Sequence, residues 1–299
     1  MKNQKVIVIN GFQRGGTNIV YNIFQSHPSV CSPNNLETGE IISQNYRLYN
    51  YAKTKLIKYF IKRIKLKLYN LLNKKFILNT FIVHIIGNFY DKIFYHYKKK
   101  NFTDTYNKFK YENEIYRKKE VKNSVICLKS VHNDILLTHF LNRIYKNIFF
   151  IGLIRNGYAL CESWIRRGKD AKFSGLRYRK FCEKMIKDSK SLNNYIIVKF
   201  EDILNDPFRI ASKLFKFTQL EPTSLKKLRF QVKKILTTEG DHRIKYGKER
   251  GKYWFDSLSI KNLIDPNINK TQIQNLSESA KEEFEIFANP ILKFFNYKT

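Results

Sequence analysis

The chain has 299 residues, of which 43% are hydrophobic, and a formal net charge of +31 from 56 Lys and Arg against 25 Asp and Glu. The apolar content is enough for a substantial core and excludes an intrinsically disordered chain, despite the charge. The length favours one large α/β domain over residues 1–299.

The positive charge has two explanations that the sequence leaves open. Such an excess attracts anions: nucleic acid, acidic glycans, anionic membranes or phosphorylated small molecules. Lys, Asn, Ile, Tyr and Phe are also the residues that AT-rich codons encode, and all are abundant here. The charge alone therefore does not identify a nucleic-acid-binding protein.

The first strand-like run begins at Lys5, so we expect neither a signal peptide nor a membrane anchor before it. The longest apolar stretch, FILNTFIVHIIGNFY, is interrupted by polar residues, and a membrane span needs about 20 mostly apolar residues. The four cysteines form no CxxC pair and have no His at metal-ligand spacing. We expect a cytoplasmic protein with reduced thiols, and contact with a membrane surface is left open.

The chain opens as strand, glycine loop and helix. The run KVIVIN is apolar and β-branched and ends at Gly11, which favours a buried strand. From Thr17 the apolar residues follow a helical period until Pro28 ends the helix. This is the setting that a phosphate-binding loop requires.

The loop keeps the glycine spacing of a nucleotide-binding P-loop but lacks its lysine. Thr17 stands in the lysine position, and Asn18 stands where a Mg²⁺-binding Ser or Thr belongs. The loop offers backbone N–H groups, the Thr17 hydroxyl and the guanidinium of Arg14. It suits an anhydride whose transferred group needs no divalent ion, such as a sulfuryl group.

Residues from about 43 to 122 differ from the rest in being rich in Lys, Tyr, Phe and Asn and poor in Gly and Pro. Apolar residues recur there at helical spacing with lysines between them. One interpretation is a basic amphipathic helix on a membrane surface or an acidic polymer. We favour the other, a helical insert that caps the sheet and exposes its lysines to solvent.

A second strand-and-helix block starts near Ser124. SVICLK, NIFFIGLI and NYIIVKF are predicted strands. The helices are NDILLTHFLNRIY, with Asn133 or Asp134 as its N-cap, YALCESWIRR, and a long stretch from Asp202. The alternation predicts a three-layer α/β fold, a parallel sheet covered on both faces, with Gly11, Lys129 and Arg155 at the carboxyl ends of strands.

The opening resembles the 5′-phosphosulfate loop of sulfotransferases, whose usual form is Arg-Ser-Gly-Thr-Thr followed by an apolar helix and His-Pro. GFQRGGTNIVYNIFQSHPSV places Arg14, Gly15, Gly16, Thr17 and Asn18 on that motif. Gly15 replaces the usual Ser and Asn18 the second Thr, so two hydroxyls are missing from the loop. The resemblance implies a P-loop nucleotide-kinase-like fold.

A second resemblance is to the 3′-phosphate site of the same family. FIGLIRNGYALCESWIRRG supplies Arg155 at a strand end and Ser163 eight residues later on the next helix. The run ending in Phe200, Glu201 and Asp202 is similar to the family's Tyr-Glu-Asp-Leu strand end, where we expect the acids to cap and orient the helix. Later in the chain, HRIKYGKERGKYWF loosely resembles the basic loop that closes over the 3′-phosphate in this family, called here the late basic loop.

The resemblance implies 3′-phosphoadenosine 5′-phosphosulfate (PAPS) as sulfuryl donor, adenosine 3′,5′-bisphosphate as product and no required metal. In the late basic loop, the residues that would contact the nucleotide are Arg250 and Lys252. Glu37 is the first choice for the base that deprotonates the acceptor, and His132 is the second. Lys129 would donate to the bridging oxygen or the sulfuryl group. We expect a carbohydrate or glycolipid acceptor.

Two other functions compete with this one. A P-loop kinase would fit the glycines, but the missing lysine and metal hydroxyl argue against it. A nucleic-acid or polyanion-binding protein could use the aromatic, lysine-rich insert to stack bases. That alternative leaves both phosphate motifs unexplained.

Overall fold

A computed structural model describes residues 4–31, 88, 115–221, 225–236, 242–246 and 251–298 of the chain. Nearly all of the predicted basic insert, about 43–122, lies outside the described residues. The side chains of residues 231–236, 242–246 and 251–252 are also outside the description, which there covers the backbone only.

The main sheet is parallel and contains four strands: β1 (Val6–Gly11), β2 (Ile126–Val131), β3 (Ile148–Ile154) and β4 (Tyr195–Lys199). Hydrogen bonds join them in the order β2-β1-β3-β4. Every residue of β1, β2 and β3 is buried, as expected for parallel strands covered on both faces. The predicted α/β fold with a parallel sheet flanked by helices is confirmed.

The described helices are α1 (Thr17–Ser26), α2 (Lys118–Asn123), α3 (Thr138–Ile144), α4 (Gly157–Ile165), α5 (Ala171–Ser191), α6 (Phe200–Asn205), α7 (Pro207–Phe217), α8 (Ser259–Leu263), α9 (Ile268–Gln274) and α10 (Glu278–Phe294). Several begin at a side chain that accepts a first-turn N–H, as Asn156 does for α4 and Asp170 for α5. No helix in the described ranges combines the length and the apolar character needed to cross a membrane.

Three sequence-based expectations differ from the structure. The helix predicted at NDILLTHFLNRIY is a 3₁₀ helix over His132–Leu137 followed by α3, and neither Asn133 nor Asp134 caps it with its side chain. Lys129 lies within β2 and not at its end, because Ser130 and Val131 continue the strand. The helical stretch from Asp202 divides into α6 and α7, since Asp206, before Pro207, has a non-helical backbone with φ −150° and ψ 87°.

A second, antiparallel sheet was not predicted from the sequence. It contains β5 (Leu228–Leu236), β6 (His242–Tyr246) and β7 (Gly251–Phe255) in the order β6-β5-β7. Val232 of β5 lies opposite Tyr246 of β6 and Gly251 of β7.

The chain divides into two compact units, and the prediction of a single domain over 1–299 stays a prediction. The first unit is Met1–Asn10 with Pro28–Phe150, and the second is Gly11–His27 with Ile151–Thr299. In the first unit, Tyr116 donates its hydroxyl to the carbonyl oxygen of Val30 at 2.9 Å beside Cys31 and Val121.

The core of the second unit is rich in aromatic rings. Phe12 stacks on Tyr178 at 5.5 Å between ring centroids and meets Trp164 edge-on at 5.8 Å. Phe284 of α10 packs against Tyr158 and Tyr178, each at 5.7 Å. All four cysteines are buried, as expected for Cys127 and Cys161, and none of them forms a disulfide within the described residues.

Candidate functional site

The glycine loop joins β1 to α1 by a tight turn. The N–H of Gly15 donates to the carbonyl oxygen of Phe12 at 2.9 Å, and Arg14 and Gly16 have positive φ angles of 71° and 89°. Helix α1 then begins at Thr17. The first N–H groups of a helix have no intrahelical partner, so this turn presents them and the positive helix end to an anion.

Two loop positions have no room for a side chain. A Cβ on Gly16 would lie 2.3 Å from ring atoms of Phe200, and one on Gly11 would lie 2.7 Å from the methyl group of Thr17. The glycine spacing of the sequence therefore has a steric cause, because a Cβ at either position would collide with these neighbouring atoms.

Two side chains, one on α4 and one just before it, donate hydrogen bonds to carbonyl oxygens of the loop. Trp164 Nε1 donates to the carbonyl oxygen of Gln13 at 3.1 Å, and Arg155 Nη1 donates to that of Arg14 at 2.7 Å. In a trans peptide the N–H points away from the C=O. The N–H of Arg14 is therefore turned away from Trp164.

The loop is electropositive. Arg14 is exposed, and its pKa is lowered first by partial burial and then by the guanidinium groups of Arg167 and Arg166. Like charges gathered at a helix N-terminus repel one another, and they stabilise a bound anion. The residues at this end fit a phosphate or sulfate ester.

Arg155 follows directly after β3 and is only 4% exposed. Besides Arg14, it donates through Nε to Asn269 Oδ1 at 2.8 Å and through Nη2 to Gln272 Oε1. Its guanidinium lies 4.6 Å from the centre of the Phe200 ring. Burial lowers the pKa of Arg155 to about 10, with Glu201 opposing that shift, so the side chain keeps its charge at neutral pH.

Glu201 connects the elements around Arg155. Its carboxylate accepts from the backbone N–H of Asn156 at 2.9 Å, from the hydroxyl of Tyr297 at 2.8 Å, and from the side-chain amide of Asn269. Burial, followed by the neighbouring Glu201, raises the pKa of Tyr297. Glu201 lies in the first turn of α6. Its hydrogen bond to Asn156 orients the start of α4.

Ser163 lies on α4, eight residues after Arg155, and is 2% exposed. The preceding residue, Glu162, accepts from Gln272 Nε2 at 2.9 Å and pairs with Arg166. Arg155, directly after β3, and Ser163, on α4, both belong to the second unit.

The remaining predicted site residues lie at the start of α1, in the first unit or outside the described residues. Thr17 is buried and Asn18 half-buried at the start of α1. Lys129, buried in β2, and His132, half-buried with a φ of 55°, belong to the first unit. Glu37 and Arg250 lie outside the described residues, as does the side chain of Lys252, whose backbone pairs with Gln231 in β5.

His27 has a structural position, as expected. Its Nε2 donates to the carbonyl oxygen of Glu221 at 2.9 Å, and its ring meets Phe215 edge-on at 5.0 Å. No group of three His, Cys, Asp or Glu side chains within the described ranges is arranged to hold a metal ion.

Sequence reasoning missed Asn269 and Gln272, which bind Arg155 from α9. The sequence carried one weak signal for them, since two amide residues three apart occupy one face of a short helix. Nothing local indicates that this face meets Arg155, more than one hundred residues earlier.

Comparison with known proteins identifies the family to which this chain belongs. A model of the sulfotransferase family matches residues 6–224, which is more than half of the chain. No curated protein sequence matches.

Similar solved structures include three sulfotransferases. The sulfotransferase domain from the Synechococcus PCC 7002 olefin synthase has 14% identity, 96% coverage of each chain and a TM-score of 0.49. The sulfotransferase domain from the curacin biosynthetic pathway has 15% identity, coverages of 97% of this chain and 98% of that one, and a TM-score of 0.47. A sulfotransferase from Alicyclobacillus acidocaldarius has 11% identity, coverages of 75% and 83%, and a TM-score of 0.42.

The family model spans both motifs that resembled sulfotransferases, the glycine loop with Arg14 and the strand end with Arg155. The chain therefore belongs to the sulfotransferase family.

Proposed function

We propose that this sulfotransferase uses PAPS as its donor and moves the sulfuryl group to a hydroxyl or amine of an acceptor. The observation that carries the proposal is the 2.7 Å hydrogen bond from Arg155 Nη1 to the carbonyl oxygen of Arg14. It brings two separate cationic motifs together. PAPS carries two anionic groups, one on each side of its ribose, so it needs two such motifs close together.

The 5′-phosphosulfate is assigned to the glycine loop. Arg14, the N–H groups at the start of α1 and the residues Gly15, Gly16, Thr17 and Asn18 would surround it. Support comes from the left-handed turn at Gly16 and from the three guanidinium groups at the loop. The backbone N–H groups of the turn are fixed before the ligand arrives, which is what stabilisation of a leaving phosphate requires.

The 3′-phosphate is assigned to Arg155 and Ser163, with Arg250 and Lys252 closing over it. Arg155 is held in place on three nitrogens and remains positively charged at neutral pH. A fixed guanidinium binds a phosphate with geometric specificity as well as charge.

In the proposed reaction the acceptor oxygen or nitrogen attacks sulfur in line with the bond to the 5′-phosphate. That S–O bond breaks, its electron pair stays on the phosphate oxygen, and adenosine 3′,5′-bisphosphate leaves. The acceptor proton would pass to Glu37 or His132, and Lys129 would donate to the bridging oxygen or to the sulfuryl group. Positioning and charge stabilisation supply most of the acceleration, with no metal ion needed.

We also propose a saccharide or glycolipid acceptor, because a net charge of +31 attracts anionic polymers. Sulfate transfer to acidic oligosaccharides should then exceed transfer to neutral phenols or steroids under the same conditions. Equal transfer to both classes would contradict this acceptor class.

The donor is tested by the thermal stabilisation that two nucleotides produce. Adenosine 3′,5′-bisphosphate should stabilise the protein more than ADP does at equal concentration, because only the former carries a phosphate for Arg155. Arg155→Ala should remove most of the difference. Arg179 is exposed and paired with Glu183, so Arg179→Ala should leave the difference unchanged. Equal shifts in the wild type, or a preference for ADP, would overturn the donor assignment.

Chelation separates sulfuryl transfer from kinase chemistry. Transfer from PAPS should persist in excess EDTA, whereas a P-loop kinase would lose activity with its Mg²⁺. Nucleotide-dependent transfer that EDTA abolishes would favour the kinase.

A further inference from the structure

We propose that Asn269 and Gln272 are positioning residues, which orient Arg155 and preserve its charge for the 3′-phosphate of the donor. This inference rests on the proposed function, in which Arg155 binds that phosphate. Both residues lie on α9, beyond the segment 6–224 that the family model matches.

The first step is the geometry around Arg155. Asn269 and Gln272 are one helical turn apart and point to the same side of α9. Both are buried, at 8% and 9% exposure. Asn269 Oδ1 accepts from Nε, Gln272 Oε1 accepts from Nη2, and the carbonyl oxygen of Arg14 accepts from Nη1. All three guanidinium nitrogens are therefore fixed by separate acceptors.

The second step is the orientation of the two amides. Gln272 Nε2 donates to Glu162 Oε2 at 2.9 Å, and Asn269 Nδ2 donates to Glu201 Oε1. Ionised carboxylates accept hydrogen bonds and do not donate them. The amide nitrogens must therefore face the carboxylates, which leaves the amide oxygens facing Arg155.

The third step concerns charge. Each amide lies between the cation and a carboxylate, so Arg155 is held by neutral acceptors. A carboxylate in direct contact would neutralise Arg155 and compete with an incoming phosphate. Each terminal nitrogen of a guanidinium also carries a second N–H. Arg155 therefore keeps both its charge and one further donor on each of Nη1 and Nη2.

The test compares two ligands that differ only in the 3′-phosphate, adenosine 3′,5′-bisphosphate and adenosine 5′-monophosphate. Their dissociation constants are measured by calorimetry for the wild type, Asn269→Ala and Gln272→Ala. We expect the preference for the bisphosphate to fall roughly tenfold in each variant, the effect of one hydrogen bond to a charged group. The monophosphate affinity should change less than about twofold.

Matched controls lie at the end of the same helix. Gln274 and Asn275 are exposed, so Gln274→Ala and Asn275→Ala should keep the wild-type preference. Gln272→Met keeps the length of the side chain without its acceptor and should lose the preference as Gln272→Ala does. A purely structural role would weaken both ligands together and leave their ratio unchanged.

Two failures are distinguishable. A wild type that binds both ligands equally would overturn the donor assignment and this inference with it. A wild type that prefers the bisphosphate, with variants that keep the preference, would overturn the inference alone.

Discussion

At the scale of single residues, several guanidinium groups repel one another at the glycine loop. Burial lowers the pKa of Arg155 and of Arg14 most. Nearby guanidinium groups lower both further: Arg14 acts on Arg155, and Arg167 and Arg166 act on Arg14. Without a ligand these groups destabilise one another, and a bound anion relieves the repulsion. Sites built for ligands commonly sacrifice some stability in this way.

Arg14→Ala should therefore separate stability from activity. The variant should be at least as thermally stable as the wild type without ligand, because a repelling charge is gone. The rate of sulfuryl transfer should fall by roughly 10²–10³, the usual effect of losing one fixed donor to a developing anion. Melting curves and initial rates check the two effects, and an unchanged rate would remove Arg14 from the site.

Gly16→Ala tests the steric basis of the loop. The variant would place a Cβ 2.3 Å from the Phe200 ring at a φ of 89°, so it combines a left-handed strain of about 1–2 kcal/mol with a collision. Gly168 is the matched control, since its φ is 74° and a Cβ there meets no atom within 4 Å. Urea denaturation should show a larger loss of unfolding free energy for Gly16→Ala, and equal losses would contradict the contact with Phe200.

At the scale of elements, α9 and α10 bring distant sequence to the site. Helix α9 has only seven residues, and so short a helix is marginal in isolation. Its side chains instead gain hydrogen bonds to Arg155, Glu162 and Glu201. The site and the C-terminal helices should therefore stabilise one another.

Phe284→Ala measures how much α10 contributes. Phe284 is fully buried and packs on Tyr158 and Tyr178, whose hydroxyl donates to the carbonyl oxygen of Arg155. The truncation should cost about 3–5 kcal/mol of unfolding free energy. Ile286 is 72% exposed on the same helix, so Ile286→Ala should stay within about 0.5 kcal/mol. Similar losses for both, measured in urea, would contradict this packing.

The elements differ in how far the sequence predicts them. The four strands of the parallel sheet and the glycine loop have local signals, apolar runs and fixed glycine spacing, and they were predicted within a few residues. Helix α5 also carries a helical pattern, with Asp170 as its N-cap and Tyr178, Phe181, Cys182 and Met185 buried on one face. The pattern was missed because small and polar residues, such as Ser174 and Gly175, complete that face.

The rest of the site depends on contacts between distant residues. Arg155 was identified from the spacing to Ser163, whereas its partners Asn269 and Gln272 lie 114 and 117 residues away. Single-sequence patterns report what one segment prefers and not which segment it meets. The antiparallel sheet was missed although Leu228, Phe230 and Val232 of β5 alternate with polar residues, since nothing in that segment shows that it pairs with β7.

At the scale of the whole molecule, the net charge acts on folding and binding in opposite directions. A charge of +31 repels itself in the compact state and so destabilises the fold, while the same field attracts an anionic donor. The screening length falls from about 30 Å at 0.01 M salt to about 3 Å at 1 M. Salt should therefore reduce both effects together.

Raising NaCl from about 0.02 M to 0.5 M should increase the melting temperature and also increase the KM for the donor. Sucrose, a general stabiliser, is the control, because it should raise the melting temperature without raising the KM for the donor. Arg14→Ala should reduce the salt dependence of KM, since one cation at the loop is gone, and leave the salt dependence of melting almost unchanged. A KM that does not respond to salt would mean that the surface charge plays no part in capturing the donor. The excess of lysine would then be a property of the surface alone.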